Sequence, residues 1–184
     1  MGWNVALSMS LYPAIGFLEV VLRNNLHRVV SGHYRTSAWY DIMPTMLTCC
    51  GEMDIAKAKA ELQKREKPED PDRLVAQLSL GFWTSLLGTD YEQRLWPRLL
   101  IFAFPYMPKR QRTRQHAAHR LHQILKLRNR ISHHEPIYRQ TNLVQLHDDL
   151  QETIGWISPK LLGLLPIGDD FREVYSRDCA AYEI

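Results

Sequence analysis

Apolar residues recur three and four positions apart along most of the 184-residue chain, whereas the strict alternation that marks a half-buried strand is hard to find. The pattern predicts an all-α fold. From about 6 to 30, Ile15, Leu18, Val21, Leu22, Leu26 and Val29 form one apolar stripe that Gly32 should end, and Glu19 and Arg23, four apart, share a face. A loop with Trp39 and Tyr40 runs to Pro44. A second helix is expected over 52–66, followed by a turn at 67–72 in which Asp70 is a natural N-cap and Pro71 suits the first helical position. The third helix runs from there to Leu87. Gly88 stops it, and Thr89 or Asp90 can cap a fourth that continues through Trp96 and the run Leu-Leu-Ile-Phe-Ala-Phe to Pro105, where Pro105 and Pro108 act as breakers. A fifth helix over 109–132 has Ala118, Leu121 and Leu125 as its apolar stripe and ends before Pro136; the last covers 141–163. Five or six helices, with no internal repeat or low-complexity segment, fit a bundle forming a single domain over 1–184.

The composition, 45% apolar and 23% charged, is that of a soluble globular protein with a real core. Cys49, Cys50 and Cys179 match no disulfide, metal or redox spacing, so a structural role in a reducing cytoplasm is expected. Residues 1–18 carry no charge but lack a basic n-region, and Glu19 and Arg23 follow at once, so they read as a buried helix rather than a signal peptide or membrane anchor. No cofactor is implied.

Charge changes the picture. Residues 105–140 hold nine basic residues (Lys109, Arg110, Arg112, Arg114, Arg120, Lys126, Arg128, Arg130, Arg139) against one acidic, Glu135, a balance of +8, while 141–184 stand at −5. Such a run suits either a polyanion or an ordinary solvated helix face. Within it, Leu-Arg-Asn-Arg-Ile-Ser-His-His-Glu-Pro-Ile at 127–137 puts arginine, asparagine and two histidines on little more than one helical turn. Arginine followed five positions later by histidine occurs three times (Arg28/His33, Arg114/His119, Arg128/His133), where about one is expected by chance. The third differs in context: Asn129 follows the arginine, a helix end lies just beyond, and the basic segment leads into it.

A structural reading is that arginine and histidine in a last turn complement the helix dipole. In the functional one, Asn129 and His133, four apart, face the same way, the amide orients the imidazole, and Arg128 holds a phosphodiester. That set suits metal-free RNA cleavage, in which a 2′-hydroxyl attacks its own phosphate. One motif supplies one histidine, so a symmetric dimer would complete the pair of proton-transfer groups. His134 could serve instead of His133 or merely pack beside Glu135. His116, His119 and His122 lie three apart but drift around a helix without an acidic or cysteine partner, so no metal site is expected. Phe82, Trp83, Trp96, Phe102 and Phe104 fall at core spacing and read as core rather than as a base-stacking platform.

Four blocks in order carry a resemblance over nearly the whole chain: Leu18-Glu19-Val20-Val21-Leu22-Arg23-Asn24, then Gly81-Phe82-Trp83-Thr84-Ser85-Leu86-Leu87-Gly88 with Tyr91-Glu92 and Leu95-Trp96, then residues 127–137, and finally Ile154-Gly155-Trp156-Ile157-Ser158-Pro159. Together they resemble the Abi-like proteins of bacterial abortive-infection defence, which are similar to the HEPN superfamily of all-helical ribonucleases. The resemblance implies a HEPN-like bundle whose motif of Arg, a polar residue and a later His falls on Arg128, Asn129 and His133. It further implies an active site formed where two copies meet, RNA as substrate, and an antiphage toxin function. Some relatives are held in check by a small structured RNA, so an RNA-binding role without cleavage is the alternative. An acidic position on the family's first helix corresponds to Glu19, with Arg23 its neighbour; they would either position the motif arginine or form a buried ion pair, the latter preferred. Lys109, Arg110, Arg112, Arg114, Arg120, Lys126 and Arg130 would track the RNA backbone. The protein is accordingly expected to be a cytoplasmic homodimer that needs neither membrane nor metal.

Overall fold

One uninterrupted apolar stripe makes a long first helix the natural centre of the fold. In the computed structural model, which describes residues 2–42, 47–165 and 169–177, helix α1 (Gly2–Tyr34) is 33 residues and roughly 50 Å long. It buries Leu7, Leu11, Ala14, Ile15, Leu18, Val21, Leu22, Leu26, Val29 and Val30, each Leu contributing about 2 kcal/mol by removal from water. Around it lie α2 (Trp39–Ile42), α3 (Cys49–Lys64), α4 (Pro71–Gln77), α5 (Leu80–Ser85), a 3-10 turn (Thr89–Tyr91), α6 (Trp96–Ala103), α7 (Arg114–Ser132), α8 (Leu143–Ile157), α9 (Pro159–Leu162) and α10 (Phe171–Ser176). The described residues form an all-helical bundle, with α1 packed against α5, α6, α7, α8 and α10. Helix α1 is long and apolar enough to cross a membrane, with a mean hydropathy of 1.8 over an 18-residue window, but its buried stripe belongs to the core.

The helices outnumber the five or six expected: α2 forms within the expected loop at Trp39 and Tyr40, α10 follows the last expected helix, and polar caps and prolines cut two of the long segments. The segment 71–87 breaks at Leu78, where Ser79 accepts a bond from the Phe82 N–H and starts α5. The segment 141–163 breaks at Ser158, with Pro159 opening α9. Asp70 and Pro71 do start α4, though the Asp70 side chain makes no cap bond. Gly32 does not end α1; the helix runs to Tyr34, and Arg35, at φ 57°, closes it. Helix α7 begins at Thr113, whose hydroxyl accepts from the His116 N–H, rather than at 109.

Several core expectations shift with these boundaries. Phe82, Trp83, Trp96 and Phe104 are buried, whereas Phe102 is 62% exposed because α6 turns Leu99 and Ala103 inward instead. The buried stripe of α7 is Ala117, Leu121, Ile124, Leu127 and Ile131; Ala118 and Leu125 are only half-buried at its edge. Cys49 and Cys50 sit in the first turn of α3 as exposed free thiols, so they do not serve the core. Cys179 and Pro44 lie outside the described residues.

Two polar side chains fix the rotation of α1. Asn25 is buried, and its Nδ2 donates to the Ala103 carbonyl at the end of α6 (2.7 Å) while its Oδ1 accepts from Arg28 (2.8 Å). Trp39 Nε1 donates to His27 Nδ1 (3.0 Å), which requires that nitrogen to be unprotonated. Burial also lowers the His27 pKa from its ordinary 6.5, only partly opposed by Asp72. The unfolded chain therefore takes up the His27 proton first, and stability is lost as pH falls through and below 6.5. A drop of about 1 kcal/mol, or about 3 °C in Tm, is expected between pH 7.5 and the acid side of this transition, the worth of one hydrogen bond. Thermal melts of His27→Gln should show this part of the pH dependence removed; an unchanged profile would assign it to other groups.

Candidate functional site

The motif segment closes the longest helix after α1, and its local geometry follows from how that helix stops. His133 is the C-cap of α7, His134 adopts the left-handed conformation at φ 56°, and Glu135 N–H reaches back to the Arg130 carbonyl (2.8 Å) while His134 N–H bonds to that of Ile131 (3.1 Å). This is the Schellman termination, with histidine where glycine is usual. The same double closure ends α3 at Glu66, φ 52°, and a like 6→1 bond from Thr36 to Ser31 ends α1 around Arg35. A histidine held there is strained by about 1 kcal/mol.

The chain beyond is tied to the start of α1. Asn4 Oδ1 accepts from the Ile137 N–H (2.7 Å) and the Tyr138 N–H (3.4 Å), and its Nδ2 donates to the Glu135 carbonyl (3.4 Å). Trp3 packs against Tyr138 and Tyr175, so α10 backs the same corner. Asn4 is a positioning residue that no local signal reveals, because its partners lie more than 130 residues away.

Arg128 is half-buried, and its Nε donates to Glu19 Oε1 at 2.8 Å. Glu19 therefore does not form a buried pair with Arg23, whose Nε donates to Asn24 Oδ1. The preferred structural reading of Glu19 gives way to the other: it holds the motif arginine. With side chains 35% and 30% exposed the pair contributes about 0–1 kcal/mol, so its effect is orientation more than stability. It engages Nε, and among the described residues the terminal amino groups of Arg128 have no hydrogen-bond partner. Asn129 and His133 are both exposed, one turn apart on the same side of α7. His134, turned by its left-handed backbone, faces elsewhere: it lines a groove of about 850 Å³ with Asn4, Val5, Met9, Tyr12 and Ile131. The motif histidine aligned with Asn129 is thus His133.

The basic segment is less available than its charge suggests. Arg112 is turned inward to the carbonyls of Pro105 and Met107. Arg114, 12% exposed, bonds the Leu87 carbonyl and faces Glu92. Arg120 lies over the Trp156 ring between Asp149 and Glu152, and Arg130 pairs with Glu135. These four brace the fold. Lys109, Arg110 and Lys126 remain exposed without an ion-pair partner among the described residues. His116 packs on Trp156 while His119 and His122 point to solvent, so the three histidines do not converge, and among the described residues no three His, Cys, Asp or Glu side chains gather as a metal site.

No family model matches the chain, nor does any curated protein or solved structure. The geometry of the site must therefore carry its interpretation: a half-neutralised arginine, an amide and an exposed imidazole at a strained helix end. Replacing His134 by glycine should relieve that strain and raise unfolding free energy by about 0.5–1 kcal/mol in urea titrations. A decrease would mean that the His134 side chain itself holds the groove together.

Proposed function

We propose that the protein is a metal-independent endoribonuclease of the HEPN type, acting as a homodimeric, cytoplasmic abortive-infection effector. The observation that carries this reading is the exposed pair Asn129 and His133 on one face of a helix end, with half-buried Arg128 beside it and oriented by Glu19. His133 takes the proton from a ribose 2′-hydroxyl, whose oxygen attacks the adjacent phosphorus. The Arg128 guanidinium holds the charge that grows on the phosphate oxygens. The bond to the 5′-oxygen then breaks, and that oxygen takes a proton from the second copy's His133. The products are a 2′,3′-cyclic phosphate and a 5′-hydroxyl. The resemblance of the four sequence blocks to Abi-like proteins supports the same assignment.

A second copy has a surface to use. Val5, Met9, Tyr12 and Val20 form an exposed apolar stripe on α1, Met9 at 69% and Tyr12 at 63% exposure, beside the groove that Ile131 and His134 line. Apolar surface of this kind next to a half-complete site suits a symmetric interface. The alternative, RNA binding without cleavage, draws on the single set of groups in each chain: a monomer has one imidazole, His133, on the face of Asn129, with His134 turned to another groove.

Arg128→Ala and His133→Ala should each lower cleavage of mixed RNA in EDTA at least about a hundredfold, with circular dichroism and oligomeric mass unchanged. Full activity in both would refute the assigned roles, and RNA affinity without any products would favour the binding alternative. Charge reversal at Arg112 or Arg114 is not a test of RNA contact, since both arginines brace loops. Met9→Glu should convert the dimer to monomer in light scattering and remove cleavage together with it.

A further inference from the structure

Six exposed residues of α7 fall in one line: Gln115, His119, His122, Lys126, Asn129 and His133, spaced four, three, four, three and four apart. From His119 to His133 the line spans about 21 Å at the helical rise. No aspartate or glutamate occurs anywhere in this helix. The arginines of α7 stand off the line, each set against an acid: Arg114 with Glu92, Arg120 with Asp149 and Glu152, Arg128 with Glu19, Arg130 with Glu135. His119, His122, Lys126 and His133 face no acidic partner among the described residues.

At its upstream end the line enters a groove of about 570 Å³ between α5 and α7, bordered by His119, His122, Ser85, Thr89, Gly81 and Gly88. Gly81 and Gly88 border it without side chains, and a Cβ on Gly88 would lie 2.9 Å from the Ser85 carbonyl. The groove presents more apolar than polar surface, with Ala118 and Leu125 in its wall beside the flat imidazoles. Imidazole faces stack on unpaired bases, and a lysine between them takes a backbone phosphate.

We propose that this line of α7 is the track for the single-stranded RNA flanking the cut, with bases stacked on His119 and His122 in the α5–α7 groove, a phosphate on Lys126, and the scissile phosphate at Arg128 and His133. The assignment rests on the ribonuclease reading for the identity of the ligand. It replaces Arg112, Arg114, Arg120 and Arg130 as RNA contacts with two histidines, and it sets the polarity of approach along one helix.

The test uses a 2′-O-methyl oligonucleotide of about ten nucleotides, which cannot be cleaved by 2′-hydroxyl attack and falls within the usual single-strand site size. Binding to the full chain is measured by fluorescence anisotropy, with digestion of the unmodified RNA in EDTA run in parallel. His119→Ala/His122→Ala should weaken binding at least about tenfold. Lys126→Gln should weaken it and reduce the salt slope by about one. Melting temperature should stay put, since all three side chains are exposed; should the alanine pair melt early, the glutamine pair at the same positions takes its place. Wild-type affinity in the double variant would overturn the track, as would equal competition by inorganic polyphosphate, which has charge but no bases. Weakened binding with no products from the unmodified RNA would keep the track and defeat the nuclease reading, whereas cleavage with unweakened binding would do the reverse.

Discussion

The buried face of α1 is the constraint on which the other elements depend. Leu7, Leu11, Leu18, Leu22 and Leu26 are fully buried, and truncating any one would cost about 2–5 kcal/mol, a large part of the stability of an ordinary domain. Because α5, α6, α7, α8 and α10 all pack on this one cylinder, its rotation decides what each of them meets. The rotation that buries the leucines also places Glu19 toward α7 and Asn4 toward the loop after it. The polar contacts then select details within an arrangement the apolar burial has already imposed.

Periodicity made the helices legible and their ends obscure. Ile15, Leu18, Leu22 and Val29 mark the core face of α1 plainly, and Asp70 with Pro71 marks a real start. Glycine misled, because the left-handed positions that close helices are Arg35, Glu66 and His134, none of them glycine, while Gly32 sits inside a helix. Thr48, Thr113 and Ser79 do cap helices with their hydroxyls, a weaker signal in a chain with many such residues. That Arg128, Asn129 and His133 fall together at one helix end follows from their spacing. The supports of this motif do not, since Glu19 and Asn4 act across the bundle and only the resemblance pointed to Glu19.

Charge counting overstated the basic segment for a physical reason. An arginine in a folded protein is often neutralised by a carboxylate from another element, and here Glu92, Asp149, Glu152, Glu19 and Glu135 do so. The balance of −5 in the last quarter of the chain is partly the counterpart of the +8 before it, with Asp149 and Glu152 of α8 facing Arg120 of α7. What remains on the surface of α7 is weaker in formal charge, with Lys126 standing among the imidazoles of His119, His122 and His133.

The contacts that define the motif's corner join residues 109 and 133 positions apart, Glu19 with Arg128 and Asn4 with Ile137. During synthesis the emerging chain has no such corner until most of it has left the ribosome. That ordering is a built-in delay: the corner that holds Arg128 and the turn after α7 is assembled only when the two ends of the chain have closed on each other.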